Sequence, residues 1–229
     1  MELFFQFCPC EIVAVTGSDG KTTTTTIIAK LLEASGRTVH LGGNIGRPLL
    51  ARVPDMGPTD LAVVELSSFQ LMTLRRSPGI AVLTNLAPNH LDVHTDMAEY
   101  VQATANIFTH QDATGLLAVN GDNDLTRALA EKAPGQVSRF TRDPLLVPER
   151  GCFIKAGTIW YRDGERSRPV LPLSDILLPG VHNVENYMAA IAAVDGLVPD
   201  DIVRDFAREF GGVEHRIELV RELDGVKYY

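Results

Sequence analysis

Only three of the 229 residues are cysteine, Cys8, Cys10 and Cys152. That odd number excludes a disulfide framework as the source of stability. Cys8-Pro9-Cys10 also lacks the Cys-x-x-Cys spacing of a zinc or redox pair, so the three read as structural thiols. No apolar stretch approaches the roughly 20 residues that cross a bilayer. Met1-Glu2-Leu3-Phe4-Phe5-Gln6-Phe7 has neither a basic flank nor a small-residue cleavage site, which argues against a secretory leader and for a cytoplasmic protein with no membrane partner. Runs of Lys and Arg are missing too: 21 basic against 29 acidic residues leave a net charge of −8. Phosphate contacts along a nucleic acid need clustered cations, so nucleic acid is disfavoured as a partner. What remains, 45% hydrophobic and 22% charged residues, is the composition of a soluble globular chain long enough to bury a large core.

Glu11-Ile12-Val13-Ala14-Val15-Thr16 is a β-branched run that reads as a buried strand ending at Gly17. A helix is expected over residues 21–34, with Ile27, Ile28, Leu31 and Leu32 on its apolar face and Gly36 as its stop. Further strands are expected at 38–41, 61–65, 80–85 and 115–120, separated by helical spacing at 96–110 and 122–131. Strand alternating with helix predicts an α/β fold, a mostly parallel sheet flanked by helices. From 136 to about 176 the pattern shortens, with alternating runs at 152–155 and 158–162 around Ala156-Gly157; this reads as a small antiparallel β annex. Helices at 182–194 and 200–209 follow, then strands at 216–221 and 226–229. Phe4, Phe5 and Phe7 have no earlier element to pack against, and both ends of the chain look cut.

Gly17-Ser18-Asp19-Gly20-Lys21-Thr22-Thr23 lies between the first strand and its helix. In such a turn backbone N–H groups and the helix dipole cradle phosphates, the lysine neutralises them and a hydroxyl reaches Mg²⁺. It departs from G-x-x-x-x-G-K-S/T, since Val15 stands where the first glycine would and the turn is shortened; a Gly-rich turn with an exposed lysine is the bland alternative. Glu65 ends the apolar run Leu61-Ala62-Val63-Val64, at the sheet edge where α/β proteins bind ligands, and suits a Mg²⁺ ligand or a surface ion pair. A third strand end carries Asn89-His90-Leu91-Asp92-Val93-His94. His90 and His94 are four apart, as in a zinc pair, but no third ligand is near. One Mg²⁺ contact plus substrate recognition fits better, with an inert loop histidine as the alternative. Gly42-Gly43-Asn44-Ile45-Gly46 lets backbone approach a ligand or simply makes a turn. Asn183 and Asn186 share one face of a helix's first turn, where Asn serves a purine edge or a cap.

Taken together, residues 17–23 and 42–46, Glu65-Leu66-Ser67-Ser68-Phe69-Gln70-Leu71, Asn89-His90-Leu91-Asp92, His182-Asn183-x-x-Asn186 and His215-Arg216 resemble the Mur ligases in type and order. The run after Gly-Gly-Asn-Ile-Gly looks like the D-glutamate-adding branch. The resemblance implies a central ATPase domain whose parent phosphorylates the carboxylate of UDP-N-acetylmuramoyl-L-alanine with ATP and lets the amine of D-glutamate displace phosphate. It further implies Lys21, Glu65 and His90 as catalytic residues. ATP would lie on Ser18, Asp19, Gly20, Lys21, Thr22, Thr23, Thr24, Asn183, Asn186 and Arg216, and the muramoyl substrate on Asn44, Ser67 and Gln70. Mg²⁺ would be held by Thr22 at one site and by Glu65 and His90 at a second. Bringing two anions together requires such cations.

Two departures stand out. The family usually places a lysine, often carbamylated, at the end of a Tyr-x-x-Ala-Lys pattern; here Tyr100-Val101-Gln102-Ala103 is followed by Thr104, which cannot supply a metal-binding carboxylate. The family's flanking domains are also missing, so residues 1–10 are expected as a linker, 11–221 as the central domain and 222–229 as the start of a second link. Such a chain is expected to bind ATP weakly, not to ligate alone, and to be a monomer. A folylpolyglutamate synthase-like ligase and a noncatalytic nucleotide-binding module are the alternatives.

Overall fold

The computed structural model describes residues 1–46, 48–87, 94–213, 221–223 and 226–228. A short helix α1 (Glu2–Phe7) leads into β1 (Glu11–Thr16), whose five residues after Glu11 are all buried. Helix α2 (Lys21–Ala34) follows at once, and then β2 (Val39–Gly43), β3 (Leu61–Glu65), α3 (Ser68–Met72), β4 (Ile80–Leu83) and α4 (Met97–Thr109). The chain continues through β5 (Leu116–Asn120), α5 (Asp124–Ala130), β6 (Gln136–Thr141), β7 (Arg150–Lys155), β8 (Thr158–Asp163) and β9 (Arg166–Pro172). Helices α6 (Val181–Val194) and α7 (Asp200–Glu209) precede a two-stranded hairpin of β10 (Arg221–Leu223) and β11 (Val226–Tyr228).

Nine strands form one sheet in the order β2-β3-β1-β4-β5-β6-β7-β8-β9. From β2 through β7 every pairing is parallel, and β7-β8-β9 is antiparallel. The α/β expectation therefore holds, and the annex is continuous with the main sheet. Gln136 begins a strand that pairs parallel with β5, and β7 pairs parallel with β6, so the hairpins extend the main sheet. The short alternating runs concealed this because β6 and β7 are joined by a loop rather than a helix, and a crossover without a helix leaves no 3.6-residue period to read.

The two faces are covered differently. Val13, Val15, Val63, Val82, Ala118, Phe140 and Tyr161 point to the face closed by α2, α6 and α7. Ile12, Ala14, Ala62, Val64, Leu83, Leu117 and Val119 point to the face closed by α1, α3, α4 and α5. This alternation is the two-residue period of strands buried on both sides. Helix α6 is buried at every position from Asn186 to Val194, and its four alanines let it approach the sheet beside α2. Phe4 and Phe5 are buried while Phe7 is exposed, so the amino-terminal helix folds back onto the core through two of its three phenylalanines.

The join between β6 and β7 depends on Gly151. Its φ is +127°, and a Cβ there would lie 1.8 Å from the carbonyl oxygen of Arg139, its partner across the ladder. Gly157, in the β7–β8 turn, also has positive φ but open space around it. Replacing Gly157 by Ala should cost only the left-handed strain of about 1–2 kcal/mol. Gly151→Ala adds overpacking of about 1–3 kcal/mol to a similar strain. Urea unfolding followed by the fluorescence of Trp160, the single tryptophan, should show the larger drop in midpoint for Gly151→Ala; equal drops would refute this account of the junction.

Candidate functional site

Register sets the site. Gly43 pairs with Glu65, Glu65 with Val15, and Thr16 with Leu83, so four parallel strands end level with one another. Strand order reverses about β1, with β3 and β2 on one side and β4 on the other, which opens the crevice where ligands bind in such sheets. A cavity of about 400 Å³ lies there, between the loop after β1 and the strand ends.

The loop from Gly17 to Gly20 is held from below by the residues that follow β4. Ser18 N donates to the Asn85 carbonyl (3.0 Å), Asp19 N to Asn85 Oδ1 (2.9 Å), and Thr84 Oγ1 to the Asp19 carbonyl (2.6 Å). Gly17 and Gly20 have φ of +140° and +77°, and added Cβ atoms would strike Thr84 Oγ1 at 2.1 Å and Asn186 Oδ1 at 2.3 Å. Lys21 Nζ donates to the carbonyls of Gly17 (2.7 Å) and Ser18 (2.8 Å), which places an ammonium over the mouth of the loop. A tight loop, a helix amino terminus and a lysine together make the anion cradle expected for a phosphate chain.

Glu65 is 2% exposed and faces this cradle. Thr22 Oγ1 donates to its Oε2 (2.6 Å) and Asn44 Nδ2 to its Oε1 (3.0 Å). Asn44 reaches it because Gly43, at φ +102°, turns the chain so tightly that the Asn44 N–H also bonds the Glu65 carbonyl (2.8 Å). A carboxylate and a hydroxyl are hard oxygen donors, the set that suits Mg²⁺ alongside substrate phosphates. Among the described residues no group of three or more His, Cys, Asp or Glu side chains is placed to hold a metal. Thr22 and Glu65 fit an ion shared with a phosphate ligand.

On the far side of Gly20 lies a second cavity of about 310 Å³, lined by Gly20, Thr23, Leu178, His182, Asn183 and Asn186. Asn186 Nδ2 donates to Asn183 Oδ1 (3.1 Å), and Asn183 Nδ2 to the Pro179 carbonyl (2.7 Å). Thr24 is buried and its hydroxyl donates to Asn186 Oδ1 (3.2 Å), so it ties α2 to α6 and lies away from both cavities. Ser67 lines the first cavity and caps α3 reciprocally with Gln70, whose Oε1 accepts from Ser67 N (3.0 Å). The structure thus brings together Ser18, Asp19, Gly20, Lys21, Thr22, Asn44, Glu65 and Ser67, with Thr23, Asn183 and Asn186 behind Gly20. His90 and Asp92, and His215 and Arg216, lie outside the described residues.

Sequence reasoning missed the aromatic wall. Tyr100, 2% exposed, places its hydroxyl 3.0 Å from Ser18 Oγ, which also accepts from Ala87 N (2.9 Å). Burial raises the Tyr100 pKa above its ordinary value, so it stays a neutral phenol. His94 is turned into the protein. Its Nε2 pairs with Ser68 Oγ (2.8 Å), and its ring stacks on Phe69 at 5.3 Å. Tyr100 lay in plain view as the residue four before Thr104, but only the fold shows that it meets the loop after β1. Thr104 itself is 1% exposed, one helical turn further on, and donates to the Tyr100 carbonyl (2.8 Å).

Gly20 divides the two cavities and can be tested directly. Gly20→Ala should lower stability by left-handed strain plus the clash with Asn186, about 2–5 kcal/mol in total. In an Asn186→Ala background the clash is gone, and the same change should cost only about 1–2 kcal/mol. Additive urea midpoints for the two substitutions would refute the contact.

Residues 15–194 match the Mur ligase middle domain. Over all 229 residues the chain is 54% identical to the UDP-N-acetylmuramoylalanine–D-glutamate ligase of Acetivibrio thermocellus and, over an alignment of 230, 48% identical to that of Ruminiclostridium cellulolyticum. It spans 49% of the length of each of these relatives. Among solved structures, a UDP-N-acetylmuramoyl-L-alanyl-D-glutamate–2,6-diaminopimelate ligase is similar with a TM-score of 0.71 at 23% identity, covering 93% of this chain and 49% of that one. MurF from Acinetobacter baumannii gives 0.72 at 20% identity, with 97% and 51% covered; at such identities the likeness speaks for the fold. With the strand-end crevice, the Gly17–Gly20 loop and the buried Glu65 already in place, the match over most of the chain shows that this protein belongs to the Mur ligase family, through its middle domain.

Proposed function

We propose that this chain is the central ATP- and Mg²⁺-binding domain of a cytoplasmic ligase that joins D-glutamate to UDP-N-acetylmuramoyl-L-alanine through an acyl phosphate, a step in building the peptidoglycan precursor. The observation that carries the reading is the pairing of the Gly17–Gly20 loop and Lys21 with Glu65 across a cavity of about 400 Å³. The 54% identity to a UDP-N-acetylmuramoylalanine–D-glutamate ligase supports this choice of reaction. Ligation belongs to the longer parent, and nucleotide binding to this chain.

In this reading Gly20 and the amino end of α2 bind the phosphates, with Ser18 and Asp19 beside them, and Lys21 moves from its loop carbonyls to neutralise them. Thr22 and Glu65 are the residues that would hold Mg²⁺, which when bound offsets the repulsion between the phosphates and the substrate carboxylate. Thr23, Asn183 and Asn186 face the nucleoside, with donor and acceptor groups of the two amides available to a purine edge. Asn44 orients Glu65 and, with Ser67 and Gln70, meets the muramoyl substrate. His90 and Arg216 are assigned to the metal and to ATP by the family resemblance. Thr104 offers no carboxylate where the family carries its carbamylated lysine, so a second ion has fewer ligands from this chain.

Calorimetry with a nonhydrolysable ATP analogue and Mg²⁺ tests the reading. The unaltered chain should bind weakly, and Lys21→Ala should lose at least tenfold in affinity, about 1.4 kcal/mol. Equal binding by both would remove the phosphate-cradle assignment. Thr104→Lys, titrated with Mg²⁺ in the presence of bicarbonate and the analogue, should tighten metal binding; identical titrations of the two proteins would refute the account of the second site.

A further inference from the structure

The Cys-Pro-Cys motif at the start of the chain takes no part in the site just described, and its geometry differs from what its spacing suggested. Cys8 caps the carboxyl end of α1 and Cys10 immediately precedes β1, with Pro9 between them. At Cys8 the backbone is extended (φ −62°, ψ 120°), and side chains two apart on extended backbone lie on one side. Both thiols are free, and the two sulfurs stand 3.5 Å apart. Both border a cleft of about 380 Å³, where Cys8 is half-buried and Cys10 buried. The same cleft holds Arg76 and His110 together with Glu11 and Asp112. Its mixed charge suits a small zwitterion with both amino and carboxylate groups.

We propose that Cys8 and Cys10 form a reactive dithiol site that exchanges with a low-molecular-weight, amino-acid-derived disulfide and closes an intrachain Cys8–Cys10 disulfide. Cys8 attacks first, because both cysteines border the cleft and Cys8 is the less buried of the two. Burial and then the neighbouring Cys8 push the Cys10 thiol up to about 12, so it is the poorer first nucleophile. In the first step the Cys8 thiolate displaces one thiolate from the small disulfide and forms a mixed disulfide. In the second, Cys10 gives up its proton and its sulfur attacks Cys8 Sγ, releasing the second thiolate, which is protonated. The protein pair loses two electrons and two protons, and the small disulfide gains them as two thiols. A disulfide closed across a single intervening residue is strained, and strained disulfides are the readily reduced ones. Cys152, fully buried in the sheet, is the internal control.

The test uses glutathione disulfide as the probe on the folded chain, with N-ethylmaleimide quenching and mass spectrometry of the intact protein and its peptides. The unaltered chain should lose the mass of two hydrogens at the peptide carrying Cys8 and Cys10, retain a reduced Cys152, and be restored by mild dithiothreitol. Cys10→Ser should stop at the mixed disulfide on Cys8, and Cys8→Ser should not react. A stable glutathione adduct on Cys8 in the unaltered chain, matching that of Cys10→Ser, would overturn the proposal, as would a pair that stays fully alkylated in every variant.

Discussion

A buried carboxylate must have partners, because removing its charge from water costs several kcal/mol that only close donors offset. Glu65 sits at 2% exposure, and its two oxygens are met by Thr22 from α2 and Asn44 from the end of β2. Those two bonds tie the loop after β1, the end of β3 and the turn after β2 into one unit. The requirement explains why the strand ends are level, why Gly43 has φ +102°, and why α2 begins where it does. A one-residue slip of β3 would turn Glu65 to the opposite face and leave Thr22 and Asn44 without their acceptor.

The rest of the cradle is built outward from that unit. Ser18 is bound to Ala87 and Tyr100, Asp19 to Thr84 and Asn85, and Gly20 is packed against Asn186. Elements from both faces of the sheet thus converge on these three loop residues. Hydroxyls and amides make nearly all of these bonds, so the loop is fixed by neutral groups and its positive charge is concentrated on Lys21. In a chain with a net charge of −8, such concentration suits an anionic ligand against the overall field.

Much of this was legible beforehand, and the reasons are local. β1, β3 and β5 are short β-branched or aliphatic runs, and α2 and α4 carry apolar residues at helical spacing, so both periods stood out. The loop from Gly17 to Gly20 announced itself through its glycines, and Glu65 through a charge ending an apolar run. The extension of the sheet through β6 and β7 was hidden, since parallel pairing across a loop depends on Gly151 accepting a carbonyl and not on any periodicity. Tyr100 and His94 were hidden for another reason. Their roles come from partners 82 and 26 residues away, Ser18 and Ser68, and no spacing rule reaches so far.

One edge of the nine-stranded sheet is β9, which carries Pro169 and Pro172 beside Arg166 and Arg168. Proline has no N–H, and Arg168 is drawn back over Tyr161 toward Asp195 and Asp200. Prolines and a fixed charge along this strand are features that blunt a sheet edge against strand addition. A platform wide enough to carry two ligand cavities is thereby prevented from growing into a fibril seed at its outer rim.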